Sequence, residues 1–206
     1  EDMQFTRPDM REITISDKSE ACDFIKDSCK ECNRKYECTG ENAAFCNHMK
    51  NILVAKYGAA EGCLKESRIR HSIGVANFLF AYAKSHDWSK EETEDLYLTG
   101  LLHDIGYIDN PKGTDHGRLG AEILKRNGLN AEICELISCH GRFIENPSRK
   151  QALLWLADLC VNRDGDYIGY QKRYESIKER YKNDPERLFQ VYRILEYLQI
   201  HFSEYR

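Results

Sequence analysis

An all-α helical bundle with an N-terminal cysteine-rich segment is predicted, and three observations carry that prediction. Apolar residues recur at spacings of three and four, as in Ile69, Ile73, Ala76, Phe80 and Ala83, and again in Leu188, Val191, Leu195, Leu198 and Phe202. Helix-start signals recur between the apolar runs. No stretch alternates persistently enough to predict a sheet.

In chain order, residues 1 to 20 (EDMQFTRPDMREITISDKSE) show no sustained period and read as an arm. Residues 21 to 62 hold five of the nine cysteines among polar stretches such as KECNRKYECTGEN, which cannot build an ordinary apolar core. The helical pattern starts at residue 64. Residues 1–62 are therefore expected to be an arm and cysteine-rich segment, and residues 63–206 a helical domain ending in further helices, to which the metal-binding and catalytic readings below are assigned respectively.

Ser89 and Glu92 form a capping-box pattern that opens a helix through LYLTGLLHDI, with Gly106 as its expected stop. The loop YIDNPKGTD leads into GRLGAEILKRNG, which Gly128 closes. Asn130 caps AEICELISCH, and Ser148 with Gln151 makes a second capping-box pattern before ALLWLADLCVNR. Asn183, Asp184 and Pro185 divide the tail into two helices. The apolar stripe of the second is read as core, with a homodimer seam as the other reading. Tyr170, Tyr174, Ile177 and Tyr181 share a helical face, read as packing or as a surface that stacks a base.

With 206 residues, 41% of them hydrophobic, the chain suffices for one core and a smaller appendage. Thirty basic and thirty-four acidic residues leave a net charge of -4, which disfavours a long polyanion such as duplex DNA and leaves room for a small phosphorylated ligand. No window approaches the roughly 20 apolar residues of a membrane span, so a soluble cytoplasmic chain without a membrane partner is expected.

Four of the seven histidines, His71, His103, His116 and His140, sit inside or at the ends of apolar helices, where an unused imidazole is costly. Asp104 follows His103 directly, and Asp158 stands in the apolar run LLWLADLCV, where a carboxylate needs a cation or several donors. His86, in the polar turn KSHDWSK, and His201 lack that context and read as surface or packing residues. Cys63, Cys134, Cys139 and Cys160 are scattered through apolar patterns and read as small buried hydrophobes.

The order His71, His103 with Asp104, then Asp158 resembles the H...HD...D signature of HD-domain metal-dependent phosphohydrolases, and LLHDIG resembles its central motif. HGRLGA from His116, CHG around His140 and the AD of LADL eighteen residues further on resemble the YqeK-like branch, whose members hydrolyse symmetrical dinucleoside tetraphosphates. The resemblance covers residues 64 to 163. The chain departs from that branch in the short interval of twelve residues between Asp104 and His116, and in Val161, where the branch usually has an acidic residue.

The resemblance implies an HD-domain helical bundle with two divalent metal ions. It places His71, His103, Asp104 and Asp158 around one ion and Asp104, His116 and His140 around the other, with Asp104 and His103 central to catalysis. A nitrogen and oxygen shell without thiolate suits iron first and manganese second. Lys112, Arg118, Arg142 and Arg163 each lie within eight residues of a ligand and are expected to hold the remaining phosphates of a nucleotide substrate. The expected activity is hydrolysis of a nucleotide phosphoester or phosphoanhydride, for instance in a dinucleoside polyphosphate. Two other readings stay open: an HD-type mixed-valent diiron oxygenase, and a non-enzymatic metal or redox sensor.

Cys29 and Cys32 form a CxxC pair, Cys38 follows after five intervening residues and Cys46 after seven more. A tight turn aims a CxxC pair at one ion, and two further cysteines complete four ligands, with Cys22 or His48 as substitutes. The spacing is not that of a zinc ribbon, and the CxxCx5C portion resembles motifs that hold iron-sulfur clusters in some anaerobic enzymes. Zinc, a cluster and unligated thiols are the three readings. Anaerobically purified protein is expected to carry a second metal centre that is lost in the Cys29→Ser, Cys32→Ser double variant, and metal analysis with absorption spectroscopy checks it. A visible band signals a cluster and colourless zinc a structural site; identical metal content and spectra in parent and variant would remove the second centre.

Overall fold

The structure is a computed structural model that describes residues 66–108, 113, 115–126 and 128–206. The arm and the cysteine segment, with Cys22, Cys29, Cys32, Cys38, Cys46 and His48, lie outside the described residues, as do Cys63 and Lys112.

Seven α-helices follow one another among the described residues: α1 (Glu66–Ser85), α2 (Lys90–Leu102), α3 (His116–Arg126), α4 (Ala131–Cys139), α5 (Arg149–Cys160), α6 (Tyr170–Arg180) and α7 (Pro185–His201). Short 3-10 turns occupy Ile105–Ile108 and Ser203–Tyr205. Extended pairing among the described residues is confined to an isolated antiparallel bridge between Val161 and Tyr167. No described helix is long and apolar enough to cross a membrane.

The core is built around α5, which touches α1, α2, α4, α6 and α7. A helix apolar on every side must be surrounded, and α5 is buried without a break from Gln151 to Ala157. Trp155 stacks on Phe143 with ring centres 5.8 Å apart and meets Tyr197 edge-on at 6.0 Å. Leu153, Leu154 and Leu156 are fully enclosed; truncating any one to Ala would typically cost about 2–5 kcal/mol. Asp158 sits one turn from the end of this rigid rod, so the core fixes its position.

Local signals set most helix ends. Ser89 and Glu92 form the reciprocal capping box of α2. Asn130 caps α4 by accepting from the Glu132 N–H at 2.8 Å. Ser148 accepts from the Gln151 N–H at 3.1 Å, while the Gln151 side chain is buried in the core. Gly128 follows the end of α3 at a φ of 82°. Asp184 caps α7, with Pro185 in its first turn. The α7 stripe is core: Leu195 and Leu198 are buried, and Leu188, Val191 and Phe202 pack against them. Tyr170 and Ile177 likewise belong to the core.

Three expectations are corrected. On α1 the buried face runs through Val75, Phe78, Leu79 and Tyr82 as well as Ala76 and Ala83, whereas Ile73 and Phe80 are half-buried, because the helix packs on both α2 and α5. Cys134 and Cys160 are buried and their thiol pKa values raised by that burial, but Cys139 is only half-buried, on the last turn before His140. Finally, α2 ends at Leu102, so His103 and Asp104 lie beyond it, and Gly106 is not its cap.

Gly106 serves a different purpose. A Cβ on it would stand 1.9 Å from the His116 carbonyl oxygen and 2.6 Å from the Gly120 nitrogen, so only a hydrogen lets the turn after Asp104 lie on the backbone of α3. Gly106→Ala is expected to destabilise the domain by about 1–3 kcal/mol, the usual range for overpacking, and to weaken metal retention by moving His116. Chemical denaturation checks it; a loss under about 0.5 kcal/mol, the level of a neutral surface change, would mean the contact does not constrain α3.

Candidate metal centre

Six side chains from five parts of the chain converge beside α5. His71 comes from the middle of α1, His103 and Asp104 from the turn after α2, His116 from the first residue of α3, His140 from just past α4, and Asp158 from α5. His71, His103, Asp104 and His140 are all at most 3% exposed. Such burial suits a polar cluster only where something satisfies it.

Each imidazole is oriented in the same way. His71 Nδ1 lies 3.0 Å from the Asn162 carbonyl, His103 Nδ1 2.7 Å from that of Gly100, His116 Nδ1 2.9 Å from that of Gly113, and His140 Nδ1 2.6 Å from that of Ile137. A carbonyl only accepts, so each Nδ1 carries a proton, and in the neutral ring Nε2 is then the atom with a lone pair for the centre. The loop holding the Asn162 carbonyl reaches His71 because Gly74 has no side chain: a Cβ there would stand 2.5 Å from the Gly165 carbonyl oxygen. The Asn162 side chain braces the same loop by accepting from the Asp164 and Asp166 N–H groups at 2.8 and 2.9 Å.

The carboxylates divide the lone pairs into two sets. Asp104 Oδ1 lies 3.4 Å from His116 Nε2 and 3.5 Å from His140 Nε2, and its Oδ2 lies 3.5 Å from His103 Nε2. Asp158 Oδ1 lies 2.9 Å from His71 Nε2 and 3.9 Å from His103 Nε2. The ligand atoms of His71, His103 and Asp104, those of His103, His140 and Asp158, and those of Asp104, His116 and His140 each form a group within 4.8 Å. All six residues named from the sequence are thus brought together, with Asp104 between the two sets.

The donor set fits divalent cations. His103 Nε2 is buried and has no hydrogen-bond partner among the described residues. The Nε2 atoms of His116 and His140 face each other at 2.8 Å, close enough for both to ligate one ion. Burial, reinforced at His116 by His140, lowers the pKa of His103 to about 4 and that of His116 to about 3, so both are neutral ligands at neutral pH. At His140 burial acts downward too, but the Asp104 carboxylate outweighs it and raises the pKa. Burial opposes ionisation of Asp104, yet His103, Arg68 and the other imidazoles hold its pKa well below the usual carboxylate range. At Asp158, His71 likewise overcomes burial and lowers the pKa.

Arg68 was not anticipated. One turn before His71 on α1, it donates to Asp104 Oδ2 at 2.7 Å and lies 3.8 Å above the Tyr107 ring. Burial and Asp104 push the Tyr107 hydroxyl up to about 12. The spacing of three between Arg68 and His71 was the available signal, since it puts both on one helix face.

Beside the centre opens a cavity of about 360 Å³. Of the basic residues expected around a substrate, Arg118 and Arg142 line it. Arg118 is held by Asp115 and Glu122, while Arg142 is exposed. Arg163 lies on the exposed turn after α5 and is not part of the lining. In its place the wall carries Arg173 and Arg180 from α6 and Arg187 from α7, beyond the reach of a criterion based on closeness in sequence to a ligand. His86 stacks on Tyr82 and His201 packs on Tyr197, both away from the centre.

The family model of the HD domain matches residues 68–188, more than half of the chain and the whole constellation. The protein belongs to the HD domain family. Among curated proteins, the chain is 34% identical to ribonuclease Y of Mycoplasma mycoides over 113 residues, covering 54% of this chain and 20% of that protein. It is 35% identical to ribonuclease Y of Fervidobacterium nodosum over 92 residues, covering 40% of this chain and 18% of that protein. An uncharacterized protein of Methanocaldococcus jannaschii is 31% identical over 77 residues, 36% of this chain and 45% of its own length. The chain thus spans about a fifth of the ribonuclease Y relatives and under half of the archaeal one. No solved structure matches it.

Asp104→Ala is expected to lower metal content and abolish turnover while the helical fold persists, measured by metal analysis and circular dichroism. Parent-level metal and activity in that variant would rule out the six-residue centre.

Proposed function

We propose that this HD domain is a metal-dependent phosphohydrolase that cleaves a nucleotide phosphoanhydride, with a dinucleoside polyphosphate as its leading substrate. The observation that carries the reading is the position of Asp104: one buried carboxylate shared between two imidazole sets, opening on an arginine-lined cavity. His71, His103, Asp104 and Asp158 would hold one ion, and Asp104, His116 and His140 the other, with iron preferred and manganese second. When bound, such a pair lowers the pKa of a coordinated water and offsets charge on phosphate oxygens.

The chain's own groups prepare the site for that chemistry. The carbonyl bonds at Nδ1 keep the imidazoles in one tautomer, so no rotation is needed at the moment of reaction. Neutral His103 and His116 do not repel a cation. Arg68 balances the Asp104 carboxylate and restrains it from one side. The cationic wall offers charge-assisted donors to phosphate oxygens.

A second reading rests on the relatives: two of them are named ribonuclease Y, which favours a phosphodiester of RNA as the bond attacked. The net charge of -4 weighs against a long polyanion. The cysteine-rich residues 1–62 are proposed as a separate metal-binding segment. Protein loaded anaerobically with iron or manganese is expected to convert diadenosine tetraphosphate to ADP, followed by chromatography. Cleavage of a short RNA instead would select the phosphodiester reading. No nucleotide product from either, nor from nucleoside monophosphates, would overturn the phosphohydrolase reading, and oxygen consumption would then favour the diiron oxygenase.

A further inference from the structure

The cavity has two unlike walls. One is the metal centre. The other is formed by α6 and α7, where Arg173, Ile177, Arg180 and Tyr181 follow at helical spacing and Arg187 joins from the next helix.

Arg173 is the informative residue. It is only 4% exposed, lines the cavity, and its Nε has no hydrogen-bond partner among the described residues. An arginine used only for packing would lay its stem on apolar neighbours and turn its guanidinium to water. A buried guanidinium is normally paired with a carboxylate. Among the described residues none of Arg173, Arg180 and Arg187 is in an ion pair.

Four of the five carboxylates that line the cavity have other partners, and the fifth, Glu186, is exposed and in no ion pair among the described residues. Asp104 pairs with Arg68, Asp158 faces His71, and Asp115 holds Arg118. Asp184 accepts from the Arg187 backbone N–H at 3.1 Å as the cap of α7. Arg187 itself is steered inward: it donates to the Tyr107 hydroxyl and the Gly113 carbonyl, both at 3.3 Å, and lies 4.1 Å over the Tyr181 ring. These contacts orient the guanidinium, and none of them is to a carboxylate. Desolvation lowers the Arg173 pKa, outweighing the opposing attraction of Asp158 and Asp104.

We infer that Arg173, assisted by Arg180 and Arg187, forms an anion subsite that holds the phosphate groups next to the one at the metal centre. The substrate class is then a nucleotide carrying at least two linked phosphates, in preference to a monoester or an isolated phosphodiester. Guanidinium suits this task, because its planar fork matches two phosphate oxygens at once. A cavity of about 360 Å³ has room for a short phosphate chain. This assignment rests on the phosphohydrolase reading and names the residues that hold the part of its substrate away from the metal centre.

The test uses binding, so that it does not depend on turnover. Calorimetric titration of the metal-loaded full chain compares methylenediphosphonate, a non-hydrolysable linked pair, with methylphosphonate. The parent is expected to prefer the diphosphonate, and Arg173→Gln to reduce that preference roughly ten- to a hundred-fold, the scale of hydrogen bonds to charged groups, at unchanged metal content. Arg173→Lys is expected to recover part of it. If Arg173→Gln does not fold, the double variant Arg180→Ala, Arg187→Ala carries the same measurement, with a loss of roughly ten-fold expected. A parent without the preference, or a preference unchanged in the variants, would overturn the subsite. A preference that vanishes with Arg173 in a protein that turns over no nucleotide would support the subsite and dismiss hydrolysis alone.

Discussion

The buried carboxylate of Asp104 is the constraint around which the site is arranged. A carboxylate that is 3% exposed and ionised needs nearby cations or donors, and it has Arg68 at 2.7 Å together with the Nε2 atoms of three histidines within 3.5 Å. Those partners come from α1, the turn after α2, α3 and the end of α4, so satisfying one charge ties four parts of the chain to one point. The same geometry gives the centre its chemical capacity, since one oxygen of Asp104 faces His116 and His140 while the other faces His103.

Backbone carbonyls do the orienting. With Nδ1 of every histidine committed to a carbonyl, ring orientation becomes a property of helix ends and loops rather than of side-chain freedom. The close approaches at Gly106 and Gly74 bring those carbonyls and their partner helices into range. The fully enclosed α5 supplies the rigid reference, because a helix packed on all sides cannot shift without opening cavities. Precision at the centre is therefore a consequence of the core.

The opposed character of the two cavity walls bears on function. A cluster of carboxylates and neutral imidazoles attracts cations, and the facing wall carries three arginines that are in no ion pair among the described residues. A phosphate chain complexed with divalent ions satisfies both. The ribonuclease Y relatives are each matched over only about a fifth of their length.

Much of the candidate metal centre was legible in the sequence, because unused imidazoles and carboxylates are costly in apolar helices and their presence there demands a cause. His71, His103, Asp104, His116, His140 and Asp158 could each be named from local context and order. Helix starts at Ser89, Asn130, Ser148 and Asp184 were legible for a related reason: capping is a short-range interaction written in adjacent residues. What the sequence did not disclose depends on contacts between distant segments. Gly106 looked like a helix stop, and only the approach of α3 shows it as a point of close contact. Arg68 was hidden because its partner is 36 residues away. Closeness in sequence picked out Arg163, which lies outside the cavity lining, whereas Arg173, Arg180 and Arg187 reach the cavity because the packing of α6 and α7 on α5 turns their shared face toward it. The kind of chemistry is set by residue types and their order, while the identity of the groups that meet a substrate is decided by helix packing, which no local pattern encodes.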